Sequence, residues 1–441
     1  MNTREQTWQN EALRPSLPEI HRTLPVPQSR AFFAKLIAFA GPGFLIAVGY
    51  MDPGNWATDL AAGSRYNYGL LSVIMISNLM AVLLQTLAIK LGVATGRDLA
   101  QACKDHFSRP VSLGLWGVAE IAIAACDLAE VIGSAIALNL LFHIPLLLGV
   151  CLTALDVLLI LFLQQKGFRF LEALVISLIG MIGACFALEI LFSRPSLAGL
   201  ASSFFIPSPQ IIRDPGMLYI AIGILGATVM PHNLYLHSAL VQTRDFEKTP
   251  QGKREAIRFC TIDSTVALTL ALFVNAAILI VAAATFYRTG HHEIAEIQDA
   301  YKLLSPLLGV TGASTVFALA LLASGQNSTL TGTLAGQVVM EGFLNIRLRP
   351  WLRRLITRLL AIAPAIMVTA LWGERGTANL LVLSQVILSM QLSFAVVPLV
   401  MFTSDREKMG EFVNPAWLKS LSWMTAVFIA VLNGWLLVQL F

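Results

Sequence analysis

The sequence predicts an all-α integral membrane protein of eleven transmembrane helices, arranged as two inverted repeats of five helices plus one further helix. Three observations support this fold class. The 441-residue chain is 56% hydrophobic and only 13% charged, more apolar than a soluble globular chain requires. Its apolar residues form blocks of about 20, the length with which a helix crosses a bilayer. Proline interrupts the first and the sixth block at matching places.

Each block is predicted to form one span. The eleven blocks lie at 36–63, 70–93, 111–141, 145–164, 170–192, 217–241, 257–286, 306–339, 357–373, 378–402 and 418–440. The single transmembrane domain therefore covers 36–440, with the first repeat at 36–192, the second at 217–402 and the extra helix at 418–440. Residues 1–35 are predicted to be a cytoplasmic tail, which we expect to be disordered because it is polar and proline-rich, without the apolar region of a signal peptide.

Positive charge sets the predicted orientation. Segments on the side of the N-terminus carry 23 of the 30 Lys and Arg residues, and those on the opposite side carry six. The positive-inside rule therefore places the N-terminus in the cytoplasm, and eleven spans place the C-terminus outside. The net charge of +4 reflects this topology and gives no reason to expect a nucleic-acid partner.

The two interrupted blocks are expected to be broken helices. Block one contains Asp52-Pro53-Gly54-Asn55, and block six contains Met230-Pro231-His232-Asn233 at the corresponding place. Proline lacks a backbone donor and clashes with the preceding turn, so each helix should break there. A break inside lipid leaves polar backbone groups without partners, which is tolerated where the break lines a cavity or binds a ligand. Paired breaks in two halves are typical of inverted-repeat transporters.

The residues at the breaks indicate a metal site. Asp52 is a carboxylate near mid-membrane and requires a cationic partner. Asn55 supplies an amide oxygen, Met230 a thioether, and unwound backbone the carbonyl oxygens of Gly49 and Ala227. Magnesium and calcium prefer oxygen ligands alone, whereas manganese(II), iron(II), cobalt(II) and cadmium(II) accept or favour sulfur. The set therefore favours a transition metal.

Several runs of residues resemble the motifs of the Nramp family of proton-coupled metal transporters. They are GPG at 41–43, DPGNWATD at 52–59, MPHNLYLHS at 230–238, ASGQNST at 323–329, TGT at 331–333, GQ at 336–337 and MEGF at 340–343. The similarity extends over about residues 35–440, and the order and spacing of the motifs are specific. One position departs from the family pattern, since Asn327 stands where a serine is expected.

This resemblance implies a LeuT-like fold that moves manganese and iron(II) inward with protons. By the family pattern, Asp52, Asn55 and Met230 are metal ligands, helped by carbonyls of the broken helices. A glutamine of the tenth helix joins them in the occluded state. Gln385 stands at that place, and Gln391 is the alternative.

A proton route is predicted beside the metal site. Glu120, Asp127 and Glu130 fall on one face of the third helix, and such carboxyls within a membrane helix commonly mark a proton relay. His232 lies at the second break and titrates near neutral pH, so it could pass protons onward. Arg358, at the start of the ninth helix, is a candidate counter-charge. The family resemblance implies the same groups.

Other functions fit the sequence less well. The chain contains no Walker lysine motif, so we expect no nucleotide, and an ion gradient or the membrane potential must drive transport. A sodium-coupled symporter of a small organic substrate is the alternative, although Asp52 would repel a substrate carboxylate. No cluster indicates an enzyme or a resident cofactor. We expect a monomer in the inner membrane of a bacterium, with the lipid bilayer, metal ions and protons as its partners.

Overall fold

A computed structural model describes residues 15–27, 31–155, 162, 166–292, 296–310, 312–372 and 376–440. Its helices up to the middle of the chain are α1 (Phe32–Phe39), α2 (Pro42–Gly49), α3 (Pro53–Tyr66), α4 (Leu71–Thr95), α5 (Leu99–His106), α6 (Arg109–Phe142), α7 (Leu146–Leu152), α8 (Phe168–Ser193), α9 (Leu197–Phe205) and α10 (Gln210–Arg213). They continue with α11 (Pro215–Thr228), α12 (Pro231–Leu240), α13 (Pro250–Thr285), α14 (Ile297–Leu308), α15 (Ala313–Leu344), α16 (Pro350–Trp372), α17 (Thr377–Thr403), α18 (Arg406–Met409) and α19 (Ala416–Leu440). Two short strands, β1 (Leu24–Pro25) and β2 (Arg244–Asp245), pair in parallel.

Helix length and composition identify a multi-pass membrane protein. Within the described residues, seven helical segments are long and apolar enough to cross a membrane, and eight if α1 and α2 form one bent span. Every predicted block contains helix. However, the described helices in the blocks 145–164, 306–339 and 357–373 are too short or too polar to meet that criterion, and parts of the first and last of these blocks lie outside the described residues. The count of eleven spans therefore stays a prediction.

Both predicted breaks are present, and each proline begins a helix. Residues 50–52 separate α2 from α3, which has Pro53 in its first turn, and residues 229–230 separate α11 from α12, which has Pro231 there. Proline is well suited to this position because the amide it lacks would have no partner within the helix. The interrupted segment α11–α12 lies at the centre of the protein. In its most apolar stretch 94% of the residues are buried, against 28% in α8 and 33% in α19.

A bend that the sequence did not predict lies between α1 and α2, which meet at 46°. Arg244, fully buried, donates to the carbonyl oxygens of Ala38 (3.2 Å) and Ala40 (2.6 Å) and to Glu172 Oε1 (2.6 Å). These carbonyls lie at the C-terminal end of α1, where a cation interacts favourably with the helix dipole. Gly41 has φ +135°, and a side chain there would collide with the Glu172 carboxylate. The bend is therefore specified by residues from two other parts of the chain.

The beginning of α2 is fixed in the same way. Asp263 of α13 accepts hydrogen bonds from the backbone amides of Gly41 (3.1 Å) and Gly43 (2.7 Å). Amides at a helix N-terminus have no partners within the helix, so a carboxylate satisfies them and complements the helix dipole. The end of α1 and the start of α2 are thus each held by a charged residue that is distant in sequence.

The expectation of a disordered N-terminal tail is wrong for its described part. Residues 1–14 and 28–30 lie outside the described residues, but 15–27 pack against the ends of several helices. Leu17 is buried and its amide donates to Glu341 Oε2 (3.0 Å), while Arg22 Nε donates to Asp245 Oδ1 (2.7 Å). Polar composition suggested disorder, but these partners lie hundreds of residues away and cannot be inferred from the composition of the tail.

Candidate metal site and charged network

The two breaks bring four helix ends together. The C-terminal ends of α2 and α11 carry the carbonyls of Gly49 and Ala227, and helix ends leave such carbonyls without partners in their own helix. The N-terminal ends of α3 and α12 begin after Asp52 and Met230. The sequence predicted these four residues as metal ligands, and the structure places them around one buried point.

Asp52 and Asn55 form the polar centre of this point. Asp52 caps α3 by accepting from the backbone amide of Asn55 (2.8 Å), and the Asn55 side-chain amide donates to the same carboxylate oxygen (2.7 Å). The other oxygen of Asp52, Oδ2, has no hydrogen-bond partner among the described residues. Both side chains are almost completely buried. Asp52 therefore presents a carboxylate oxygen that is available to a cation.

Asn55 also links the two broken helices. Its Nδ2 lies 3.1 Å from the carbonyl oxygen of Ala227 in α11 and 3.4 Å from that of Gly49 in α2. The sulfur of fully buried Met230 lies 3.2 Å from the place that a β-carbon would take on Gly49. One carboxylate, one amide, two carbonyl oxygens and one thioether thus converge, with the mixed hardness that divalent transition metals accept.

Gln385 contacts this site, and Gln391 lies further along the same helix. The side chain of Gln385 packs against Gly54 so closely that any β-carbon there would overlap it. Gln385 Nε2 donates to Ser384 Oγ (3.1 Å), and Gln385 Oε1 has no partner among the described residues. Gln391 is also buried and lies six residues later in α17, nearly two helical turns away. Of the two glutamines, Gln385 is the one in contact with the first turn of α3.

The sequence analysis missed three residues that hold the breaks. Asn275 of α13 donates to the carbonyl of Tyr50 (2.8 Å) and to Asn55 Oδ1 (3.2 Å). Trp56 Nε1 donates to the carbonyl of Met51 (3.2 Å), and Ser324 Oγ of α15 donates to the same oxygen (2.5 Å). These bonds satisfy the carbonyls that the break removes from the helix. A lone asparagine in block 257–286 was the only sequence signal for Asn275.

The predicted charged residues Glu130 and Arg358 lie together beside the site. Glu130 of α6 accepts from Ser328 Oγ (2.9 Å) and Thr329 Oγ1 (3.2 Å) of α15, and it lies 3.5 Å from the guanidinium of Arg358 of α16. Arg358 also donates to Thr329 Oγ1 (3.2 Å) and to the backbone carbonyl of Asp127 (3.4 Å). Glu130 and Arg358 are both fully buried. An ion pair in this setting depends on the surrounding hydrogen bonds to offset desolvation.

Asp127 and His232 connect this network with the second break, whereas Glu120 lies apart from it. Asp127, buried one turn before Glu130, is close enough to His232 to act electrostatically on its ring. His232 Nδ1 has no hydrogen-bond partner among the described residues. Glu120 lies two turns before Asp127, is partly exposed, and accepts from Trp116 Nε1 (3.1 Å). The three carboxyls thus lie along α6, with Glu130 and Asp127 buried and Glu120 partly exposed.

Known proteins resemble this chain over nearly its whole length. A family model described as natural resistance-associated macrophage protein-like (Nramp) matches residues 43–439. A divalent metal cation transporter MntH of Nostoc sp. is 67% identical, and the match covers 97% of this chain and 96% of that protein. A relative of the same description from Listeria welshimeri is 65% identical, with coverage of 98% and 96%.

Solved structures also resemble this chain over most of its length. A crystal structure of a manganese transporter from Eremococcus coleocola, in complex with an aromatic bis-isothiourea substituted compound, superposes with a TM-score of 0.88 at 43% identity, covering 95% of this chain and 90% of that one. The nucleobase-cation-symport-1 family transporter Mhp1 superposes with a TM-score of 0.60 at 15% identity, covering 90% and 91%. At that identity the likeness to Mhp1 concerns the fold alone.

Proposed function

Because the chain belongs to the Nramp family, we propose that it is a secondary transporter that imports divalent transition metal ions into the cytoplasm together with protons. The family match confirms the resemblance carried by the sequence motifs. Manganese(II) and iron(II) are the proposed substrates, with cobalt(II) and cadmium(II) as further ions that the same ligands would accept. The relatives described as manganese and divalent metal cation transporters support this choice.

One observation carries the proposal. The carboxylate of Asp52, the amide of Asn55, the carbonyl oxygens of Gly49 and Ala227 and the sulfur of Met230 converge where two helices are broken. An unpaired carboxylate inside a membrane protein is expensive, which makes a cationic occupant the natural partner of Asp52. The thioether favours transition metals over magnesium and calcium. The five groups form the proposed first ligand set.

Gln385 is proposed to complete this set when the site closes around the metal. Its oxygen has no hydrogen-bond partner in the described part of the chain, and its side chain touches Gly54 in the first turn of α3. Gln391 is the less favoured alternative because it lies nearly two turns further along α17.

Protons are proposed to leave the site through the charged network. His232 follows the thioether ligand Met230 by two residues and lies within the influence of Asp127. From Asp127 the carboxyls of α6 lead toward the partly exposed Glu120. The proposed pathway consists of Asp52, His232, Asp127, Glu130, Arg358 and Glu120. The buried cluster already contains the positive charge of Arg358. Its carboxyls can therefore gain or lose one proton without leaving two like charges unpaired.

The proposed architecture follows the same family assignment. We place eleven spans in one domain at 36–440, with the inverted repeats at 36–192 and 217–402 and the extra helix at 418–440. Lys and Arg then lie predominantly on the cytoplasmic side, with the N-terminus inside and the C-terminus outside. We propose that the protein acts as a monomer in the inner membrane, driven by the proton gradient and the membrane potential.

Uptake of Mn²⁺ into proteoliposomes with a pH-sensitive dye in the lumen tests this function. We expect saturable Mn²⁺ entry with acidification of the lumen, and little competition from excess Ca²⁺. Entry without acidification would retain the metal transporter and reject proton coupling. Absence of Mn²⁺ entry from protein that is folded and correctly inserted would reject the function as a whole.

A further inference from the structure

The side-chain amide of Asn55 lies among three oxygens of the proposed metal site. Asn55 Nδ2 lies 2.7 Å from Asp52 Oδ1, 3.1 Å from the carbonyl oxygen of Ala227 and 3.4 Å from that of Gly49. A carboxylate and two carbonyls only accept hydrogen bonds, so the nitrogen of the amide, and not its oxygen, faces them. These three oxygens are the groups that the proposed function assigns to the metal.

The amide nitrogen therefore lies where a cation would contact the same three oxygens. Buried oxygens without partners are costly, and the two N–H donors of Asn55 are shared among these three oxygens, with the longest contact to Gly49. In this orientation the potential metal ligand Asn55 Oδ1 points away from them and accepts from Asn275 Nδ2 (3.2 Å). Asn275 also donates to the carbonyl oxygen of Tyr50 (2.8 Å), which lies at the end of α2.

We propose that the metal displaces the Asn55 amide nitrogen, that Asn55 turns its oxygen toward the metal, and that Asn275 is the positioning residue that opposes this turn. The proposal rests on the proposed function, because it assigns the ligands of that transport site. Asn275 does not touch the metal in this account. It acts through the orientation of Asn55.

The turn couples the two asparagines. Once Asn55 has turned, its NH₂ group faces the NH₂ group of Asn275, and two donors do not bond to each other. Asn275 must then present its own oxygen, which is buried and has no hydrogen-bond partner among the described residues. Doing so removes the hydrogen bond that Asn275 donates to the carbonyl of Tyr50. Metal binding thus releases a restraint at the break between α2 and α3.

The consequence can be measured as a gain in metal affinity. In the native protein, binding gives up the bond from Asn275 to Tyr50, whereas Asn275→Leu has no such bond to lose. The dissociation constant of Mn²⁺ should therefore fall by roughly 2- to 12-fold, which corresponds to a net hydrogen bond of about 0.5–1.5 kcal/mol. Ionised Asn275→Asp presents only acceptors to Asn55 and should hold it in the turned orientation. Its added negative charge also attracts Mn²⁺, so its affinity should rise for both reasons.

Isothermal titration calorimetry of Mn²⁺ against purified protein in nanodiscs at constant pH tests the proposal. Asn327→Leu serves as a matched control, since Asn327 is a buried asparagine whose amide bonds the carbonyl of Val175 (3.4 Å) in α8, away from the breaks. We expect tighter binding by both Asn275 variants and unchanged binding by Asn327→Leu. A purely structural role for Asn275 would weaken binding instead.

The outcomes separate this proposal from the function on which it rests. If the native protein does not bind Mn²⁺, the proposed function fails. If the native protein binds but the Asn275 variants bind equally or more weakly, only the role of Asn275 is overturned. If Asn275→Leu does not fold, unchanged or weaker binding by the nearly isosteric Asn275→Asp overturns the role, since both its acceptors and its charge should strengthen binding. Failure of both variants to fold would contradict the proposal by making Asn275 a determinant of the fold.

Discussion

At the scale of single residues, the candidate site depends on one carboxylate. Asp52 is fully buried, one of its oxygens accepts two hydrogen bonds from Asn55, and the other has no partner among the described residues. Its position before Pro53 also makes it the N-cap of α3, so the residue serves both the helix and the site. The isosteric change Asp52→Asn separates these two roles, because asparagine is a good N-cap but carries no charge.

Removing the charge of Asp52 should strongly reduce transport while leaving the fold intact. We expect Mn²⁺ uptake by Asp52→Asn to fall by roughly 10- to 100-fold, since interactions with a charged group contribute about 1.5–3 kcal/mol. Asp52→Ala should abolish uptake of every metal. Proteoliposome uptake measures the effect, with Asp299→Asn, an exposed carboxyl on α14, as the control. Normal uptake by Asp52→Ala would show that the metal binds elsewhere.

Met230 should act as a selectivity filter. Thioether sulfur favours soft ions, so Met230→Ala is expected to lower Cd²⁺ uptake by roughly tenfold more than Mn²⁺ uptake, the scale of a 1.4 kcal/mol difference, and to admit Ca²⁺. Competition assays with Cd²⁺ and Ca²⁺ measure this change. Met217→Ala, which also truncates a buried methionine of the same broken segment, is the matched control. A selectivity profile identical to that of the native protein would exclude the sulfur as a ligand.

At the scale of elements, α6, α15 and α16 together form the charged network. Glu130 lies on α6, its hydroxyl partners Ser328 and Thr329 lie on α15, and Arg358 lies on α16. Each helix contributes groups that would be costly to bury alone, and together they satisfy one another. The network is therefore a property of helix packing, even though the acidic spacing on α6 was visible in the sequence.

Neutralising Glu130 should separate metal movement from proton movement. Glu130→Gln retains the shape of the side chain and its contact with Ser328, but it cannot take up a proton. We expect metal-driven acidification of the lumen to decrease by more than Mn²⁺ uptake does, measured in the same vesicles. The control is Glu189→Gln, a buried carboxyl of α8 outside the network. Acidification that remains proportional to uptake in Glu130→Gln would remove Glu130 from the relay.

Asp98, in the loop between α4 and α5, is expected to make the stability of the protein depend on pH. Asp98 caps α5, accepts from Ser16 Oγ (2.7 Å) of the N-terminal segment, and is buried. Burial raises the pKa of Asp98 to about 6, above the value near 4 of an unfolded chain. The folded state therefore binds the extra proton between these pH values. The corresponding stability is complete below about pH 4 and is lost as the pH rises to about 6.

Asp98→Asn should remove this dependence, because asparagine caps the helix without titrating. From about pH 4 to pH 6, the unfolding midpoint of the variant should rise relative to that of the native protein. Above about pH 6 the difference between the two midpoints should remain constant. Thermal unfolding of both proteins in the same detergent across this range measures the difference. Parallel curves for the two proteins would contradict the role assigned to Asp98.

At the scale of the whole molecule, local chemistry determined what the sequence could predict. Pro53 and Pro231 break their helices by covalent geometry, so both breaks and the candidate ligands beside them could be located from the sequence. The bend before Pro42 was not, because Arg244 and Asp263 hold it from distant parts of the chain. The N-terminal segment was expected to be disordered for the same reason: the partners of Leu17 and Arg22 lie far away in sequence.

Around the site, too, the sequence could predict only those residues that stand in a local motif. Asp52, Asn55 and Met230 stand in motifs, whereas Asn275 is a single polar residue in the apolar C-terminal part of α13. Its contact with Asn55 becomes visible only when α13 and α3 are packed side by side. The choice between Gln385 and Gln391 likewise depended on helix packing, since only the structure places one of them against Gly54.

The metal is proposed to bind between the two breaks. Anomalous diffraction from crystals of the native protein grown with Mn²⁺ tests it most directly. We predict an anomalous peak enclosed by Asp52, Asn55, Met230 and the carbonyl oxygens of Gly49 and Ala227, and its absence from crystals of Asp52→Asn grown in the same way. A peak at another place in the membrane, or one that persists in Asp52→Asn with unchanged strength, would contradict the account.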